Sequence, residues 1–397
     1  MLVEQAYRYE LKLNQAQARE LGRNAGVARF AYNWGLRMRE ERYAANEGKA
    51  RYWGRAELSR EWTLYRRRAG DDGPPPWFEG HIAEVGFKAL EDLERAFRNF
   101  FDNLKHRKAG KTKRRVGFPK FKKFAAHDSF RVQGARPVAG ESAVVLPKIG
   151  RVRTKELVRP KGKIIWATIS READRWFIAF TVTERERADP PEPRYELVAA
   201  HLGLRSGVTL SEPLKLPRYA GKRLDLPRPL AKALKRLRRA SRQHSRKQKG
   251  SANRRKSQMG LARLHWRVRS IREDWWAQLT TALAKQGRTL VVEQWDVRSM
   301  LMEAPYARAI ADAGWAEFRR LLEYKCRWHG SRLIVAEKAF PASKRCSECG
   351  ELFAALKLSQ VRWTCPFCGH EHEREENAVR NLLWVGEQAL ANELVTA

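Results

Sequence analysis

An α+β fold divided into several domains is predicted by three observations on this 397-residue sequence. Helical patterning dominates from residue 14 to about 107. Short apolar runs separated by turn residues then fill 127–186, and strands alternate with helices after 195. The length allows two or three separate cores.

The elements follow in order. Residues 2–13 alternate as a strand, with Tyr7, Tyr9, Leu11 and Leu13 on one face. A helix starts after Asn14, and Leu21, Ala25, Ala28 and Tyr32 recur at helical spacing as its buried face, with Arg19, Arg23, Arg29 and Arg37 off it. The run Asp71-Asp72-Gly73-Pro74-Pro75-Pro76 is a loop. Phe87, Leu90, Leu93, Phe97 and Phe101 mark a second helix face. Strands are expected at Ser129–Val132, Ala143–Leu146, Ile164–Ile169 and Trp176–Val182, which a small antiparallel barrel or sheet would hold. The Pro-rich stretch 186–194 reads as a linker. Beyond it, residues 197–209 read as strand, Gly-containing turn and strand, with His201 as the polar residue at the centre of the first. A long helical hairpin covers 230–286, broken by basic residues at 245–256. Thr289–Glu293 is a buried strand ending on a carboxylate, followed by a helix at Trp315–Trp328 and a strand at Arg332–Ala336. This half is expected to be an α/β domain with a mixed sheet.

Composition bounds the function. Apolar residues are 43% of the chain, and 14 Trp with 16 Phe supply a core, which excludes a disordered protein. Lys and Arg number 80 against 45 Asp and Glu, a net charge of +35. A charge of that size self-repels unless a polyanion matches it, and nucleic acid is the usual one. No run of about 18 uncharged apolar residues occurs, so no membrane span is expected. The N-terminus lacks the basic-then-apolar pattern of a secretory signal. Cysteine usage points to a reducing compartment, so a cytoplasmic, nucleoid-associated protein is expected.

The densest basic run is 105–123, where Phe118 and Phe121 interleave with cations. Charge for phosphates beside rings for stacking suits RNA or single strands. Lys111, Lys113, Arg114, Arg115, Lys120, Lys122 and Lys123 are the candidate contacts there, with Arg246, Lys247, Arg254 and Arg255 on the helical hairpin. That hairpin should track a backbone rather than read bases. The alternative is a solvated face with no ligand.

Cys346, Cys349, Cys365 and Cys368 form two Cys-x-x-Cys turns, each followed by Gly. Four thiolates at this spacing suit tetrahedral Zn²⁺ with no open coordination position, hence a structural site. His370 and His372 are not needed as ligands, and Cys326 reads as a buried helix residue.

Several stretches together resemble the TnpB family of transposon-encoded RNA-guided nucleases, relatives of the type V CRISPR effectors. They are Ala28-Arg29-Phe30-Ala31-Tyr32-Asn33-Trp34, Gly117-Phe118-Pro119-Lys120-Phe121-Lys122, Arg254-Arg255-Lys256 and Leu261–His265. Arg272-Glu273-Asp274, Val291-Val292-Glu293, Asp312-Ala313-Gly314-Trp315, Leu322–Lys325, Pro341–Gly350 and Glu373–Asn381 complete the likeness over nearly the whole chain. It implies a β-barrel wedge domain (1–13 plus 119–190), an inserted helical recognition domain (14–118) and a RuvC-like domain of RNase H fold (191–340 plus 370–397). A zinc ribbon (341–369) is inserted in the last of these. It also implies a guide RNA and a double-stranded DNA target beside a short flanking motif as partners.

The family cuts with three carboxylates holding two Mg²⁺ about 3.5–4 Å apart. Residue by residue, the likeness puts His201 where the family has Asp, Glu293 where it has Glu, and Glu375 where it has Asp. Imidazole is a poor substitute for a carboxylate on Mg²⁺, and the longer Glu375 side chain displaces its oxygens by about a bond length. The alternative at this position is that His201 binds a softer ion such as Mn²⁺ and leaves slow cutting. The expectation from this degenerate triad is a nuclease-dead protein that is not an enzyme and does not use Mg²⁺. It would bind DNA under RNA guidance and repress transcription by competing with RNA polymerase at a promoter. The alternative is an active RNA-guided endonuclease of a transposon, and a third reading is an unguided accessory of transposition.

Overall fold

The computed structural model describes residues 2–45, 53–111, 115–123, 128–186, 194–216, 219–302, 306–338 and 340–396. The chain divides into two compact units, Met1–Arg187 and Ala188–Ala397. The division falls inside the expected linker, most of which lies outside the described residues.

The first unit runs β1 (Leu2–Lys12), α1 (Gln15–Ala45), α2 (Arg55–Tyr65) and α3 (Glu84–Lys108). It continues through β2 (Ser129–Val132), β3 (Arg136–Pro137), β4 (Ala143–Leu146), β5 (Gly150–Thr154), β6 (Lys163–Glu172) and β7 (Arg175–Glu186). The strands make one antiparallel sheet in the order β2-β6-β7-β1-β5-β4-β3, with β1 drawn in between β7 and β5. Asn14 starts α1 with a reciprocal cap: its Oδ1 accepts from the Gln17 N–H at 2.8 Å, and Gln17 Oε1 accepts from the Asn14 N–H at 3.2 Å.

The predicted faces are buried as expected at Tyr9, Leu11, Leu21, Ala25, Ala28, Tyr32, Leu90, Leu93 and Phe97. Phe101 departs from the pattern at 42% exposure, because α3 there runs past the core and its ring rests on Phe97 and Phe100. Helices and sheet share a single hydrophobic core, so the segments expected as a recognition and a wedge domain are packed as one body. Fully buried Trp62 lies against Gly86 of α3, where any Cβ would stand 2.4 Å from the indole nitrogen.

The second unit opens with β8 (Arg194–Gly203), β9 (Gly207–Leu216) and β10 (Tyr219–Leu224). Helices α4 (Pro229–Ser245) and α5 (Ala252–Ala284) follow, then β11 (Arg288–Val292), α6 (Val297–Met300), α7 (Ala307–Ala313), α8 (Trp315–His329) and β12 (Arg332–Val335). The chain closes with β13 (Arg362–Thr364), β14 (Glu371–Glu373) and α9 (Arg374–Thr396). The main sheet has the order β10-β9-β8-β11-β12, antiparallel from β10 to β8 and parallel from β8 to β12. This is the expected mixed sheet.

Its central strand β8 is covered on both faces, so its inner residues are nearly all apolar. Val198, Ala200 and Leu202 pack with Trp276, Leu279, Phe318 and Leu322 of α5 and α8. Leu197 and Ala199 pack on the other side with Ala378, Val379 and Leu382 of α9. Fully burying each such side chain is worth about 1.5–3 kcal/mol. Asp312 accepts from the Leu230 and Ala231 N–H groups, both at 2.8 Å, and so caps the start of α4. No helix among the described residues is long and apolar enough to cross a membrane.

Candidate active site

The period-2 alternation of β8 and β11 decides what meets at their ends. On β8 the odd-numbered residues face α9, so His201 and Gly203 continue the face of Leu197 and Ala199. On β11, Val291 faces α9 and Leu290 and Val292 face away, which returns Glu293 to the α9 side. The parallel register pairs Ala200 with Val292, so His201 and Glu293 are next neighbours across the sheet. Glu375 comes in from the first turn of α9. Gly203 makes room for it, since a Cβ there would lie 2.1 Å from Ser206 Oγ and 3.0 Å from the Glu375 carboxylate oxygens.

The three sequence-predicted residues therefore come together. His201 is 4% exposed. Its Nδ1 lies 2.7 Å from Glu293 Oε2 and its Nε2 lies 2.8 Å from Glu375 Oε2. Burial alone would lower the imidazole pKa, but the two carboxylates prevail and push it up to about 10. Burial alone would likewise raise Glu375, yet the charge and bond of His201 hold it below the usual range. The centre is thus an imidazolium clasped by two carboxylates. Trp295 stands beside it, ring centroids 6.2 Å apart, and packs at a tilt against Trp315 at 4.9 Å.

The donor set as folded does not fit a pair of Mg²⁺ ions. Glu293 and Glu375 take opposite nitrogens of one ring, so the imidazole stands between them, and a protonated His cannot act as a ligand. Neighbouring carboxylates are engaged elsewhere. Asp296 caps α6 through the Ser299 N–H and pairs with Lys338 at 3.2 Å, and Glu373 and Glu376 pair with Arg223.

The four predicted cysteines converge, with all ligand sulfurs within 4.8 Å of one another. Cys346 to Cys368 and Cys349 to Cys365 are both 3.7 Å. A tetrahedron with metal–sulfur bonds of about 2.3 Å has edges of about 3.8 Å, so the set fits one zinc ion. His372, set aside in the sequence, is buried with Nε2 at 3.0 Å from Cys346 Sγ. It stands behind a ligand as a hydrogen-bonding support.

Sequence reasoning also missed Asn377 and Asn381. Both are 1% exposed, and both donate through Nδ2 to the carbonyls of Ala342 and Arg345, while Asn377 Oδ1 accepts from the Ser347 N–H. This bracket fixes α9, and with it Glu375, to the base of the ribbon. The Asn-x-x-x-Asn spacing on one helix face was the available signal.

The basic candidates sort differently. Lys111, Arg115, Lys120, Lys123, Arg246, Lys247 and Arg255 are exposed. Lys113 and Arg114 lie outside the described residues. Arg254 donates to the carbonyls of His244 (3.2 Å) and Lys247 (2.8 Å) and Arg255 to that of Gly250 (3.4 Å), so both help close the turn between α4 and α5. Lys122 is folded over the Tyr32 ring at 4.1 Å, and burial lowers its pKa. Asn33 clips the Lys122 backbone at both its N–H and its carbonyl, which fastens the basic stretch to α1.

The fold resembles that of the Cas12f1 chain in a cryo-EM structure of a Cas12f1-sgRNA-target DNA complex, at a TM-score of 0.56. That likeness covers 93% of this chain and 83% of that one at 13% identity. The chain is 32% identical to a Streptomyces pristinaespiralis protein named "Putative RNA-guided DNA endonuclease" over 98% of its own length and 91% of the relative's. It is 30% identical to "Putative RNA-guided DNA endonuclease InsQ" of Escherichia coli (strain K12), covering 98% and 93%. It belongs to the TnpB/OrfB family. Family models match as a helix-turn-helix domain at 1–49, a probable transposase at 180–303 and a Cas12f1-like TNB domain at 315–382. The described part of the first span holds β1 and the single helix α1.

One expectation is overturned. The chain was expected not to be an enzyme, whereas relatives aligned over almost its whole length are named as endonucleases. The physical reason is that a residue type at one position does not define a pocket: Glu293 and Glu375 are both present and both drawn to it.

Proposed function

We propose that this chain is an RNA-guided DNA endonuclease in which guide pairing selects the duplex and the pocket of Glu293, Glu375 and His201 is the scission centre. The observation that carries the reading is the match to endonuclease-named relatives along 98% of the chain, with Glu293 and Glu375 both in contact with His201 at the end of the central strand. The strand order, three antiparallel then two parallel, supports a RuvC-like domain of RNase H type. The net charge of +35 supports a guide RNA and a double-stranded target as partners, with base pairing supplying sequence choice. The seven-stranded sheet supports the wedge reading, and the four-cysteine cluster supports one structural zinc ion.

In this structure His201 separates the two carboxylates, so scission there would need it to move off them. The test is to sequence RNA co-purified with the full chain and then present duplexes that match or mismatch its variable end. Retention and cutting of the matched duplex alone supports the reading. Retention or cutting indifferent to the guide overturns it.

A further inference from the structure

A cleft of about 400 Å³ in the first unit lies between the end of α2, the loop Pro74-Pro75-Pro76 and the turn joining β4 to β5. Arg66, His81 and Lys148 line it, with Phe78 as its apolar wall and Glu79 as its one carboxylate. Burial lowers the Arg66 pKa, with Arg67 adding to the shift. Among the described residues this guanidinium has no carboxylate partner, only the Phe87 ring at 5.7 Å. Lys148 Nζ donates to the His81 carbonyl at 3.0 Å and is not neutralised either. Burial of the ring lowers the His81 pKa, and the charges of Arg66 and Lys148 add to the shift. His81 Nδ1 bonds the Phe78 carbonyl, which leaves Nε2 buried without a partner.

The backbone adds an independent observation. Lys148 sits at φ +60°, in the left-handed region that a turn ordinarily gives to Gly or Asn. Its ammonium reaches the cleft lining through the bond to the His81 carbonyl. A half-buried guanidinium and an ammonium lining one cleft are the complement of a tetrahedral oxyanion.

We infer that this cleft is a phosphate-binding site that takes one phosphodiester of a nucleic-acid backbone, held by Arg66 and Lys148. The inference rests on the nucleic-acid-binding part of the proposed function and adds a site that none of the sequence motifs marks. The phosphate can come from RNA or from DNA, and the test separates them.

Full-length protein is titrated with labelled RNA and with single-stranded DNA of the same sequence at several salt concentrations. Wild type is compared with Arg66→Gln/Lys148→Gln and with the charge-keeping Arg66→Lys/Lys148→Arg. Each phosphate contact on a single strand contributes about 0.7 to the slope of log affinity against log salt. The Gln pair is expected to lower that slope by about 0.7, and the charge-keeping pair to restore it. A fall confined to RNA assigns the phosphate to RNA, and a fall confined to DNA assigns it to DNA. Slopes unchanged on both, with thermal melting showing all variants folded, overturn the site while leaving the proposed function standing. Loss of slope that the charge-keeping pair does not restore also overturns it. Wild type that binds neither polymer overturns both.

Discussion

Replacing His201 with Gln removes the cation between the half-buried carboxylates of Glu293 and Glu375. The imidazole is raised from 6.5 to about 10 in the folded protein, roughly 3.5 pH units, or about 5 kcal/mol at about 1.4 kcal/mol per unit. That is a ceiling. Gln can still bond one carboxylate and the other can take up a proton, and removing one partner of a buried ion pair typically costs about 3–5 kcal/mol. A loss of about 3 kcal/mol near neutral pH is expected. The sign follows from proton counting: above 6.5 the folded state holds a proton that the unfolded chain has released. The stability of wild type over the variant is therefore complete below about pH 6.5, declines by up to about 1.4 kcal/mol per pH unit, and is gone above about 10. Urea unfolding in chelator at several values between about pH 6.5 and 9, read by pulse labelling of β8 peptides, measures the gap. A gap that does not change with pH would refute the clasped imidazolium.

Four further outcomes follow from the same geometry. His201→Asp replaces the clasping cation with a third carboxylate, so Mg²⁺ should raise the melting temperature of this variant and leave wild type unchanged, as differential scanning fluorimetry would show. Purified protein should carry one zinc ion per chain, and chelation or Cys365→Ser should expose the ribbon to rapid hydrogen exchange while β8 stays protected. Asn377→Ala leaves the Ser347 N–H unpaired and should cost about 1–3 kcal/mol, with exchange quickened at Ala342–Ser347. Lys325→Met removes an ammonium that donates to the Ala277 carbonyl and to the hydroxyls of Thr280 and Thr281. It should lower stability by about 1–3 kcal/mol as read by urea unfolding.

Much of the fold was legible because its signals are local. The apolar run broken only by His201 marked a strand, the spacing of Leu21, Ala25, Ala28 and Tyr32 marked a buried helix face, and the Cys-x-x-Cys pairs marked the ribbon. The likeness to the family picked out His201, Glu293 and Glu375, which the structure brings into contact. What the sequence could not show is which groups share a partner. That one imidazole would bond both carboxylates depends on the register of β8 with β11 and on the approach of α9 past Gly203. Judging the position by residue type alone led to the wrong inference about enzymatic character. The same blindness affected the cations, since charge density cannot tell Arg254, spent on helix-end carbonyls, from its exposed neighbours. Lys122 is spent on Tyr32 for the same kind of non-local reason.

The most direct measurement is guide-dependent retention and scission of a matched DNA duplex by the wild-type ribonucleoprotein and by Glu293→Ala, in Mg²⁺ and in Mn²⁺. The account predicts that both proteins hold the matched duplex and neither holds a mismatched one, with strand breaks in wild type that Glu293→Ala abolishes. Matched duplex held intact by wild type in both ions, or breaks that persist in Glu293→Ala, would contradict it.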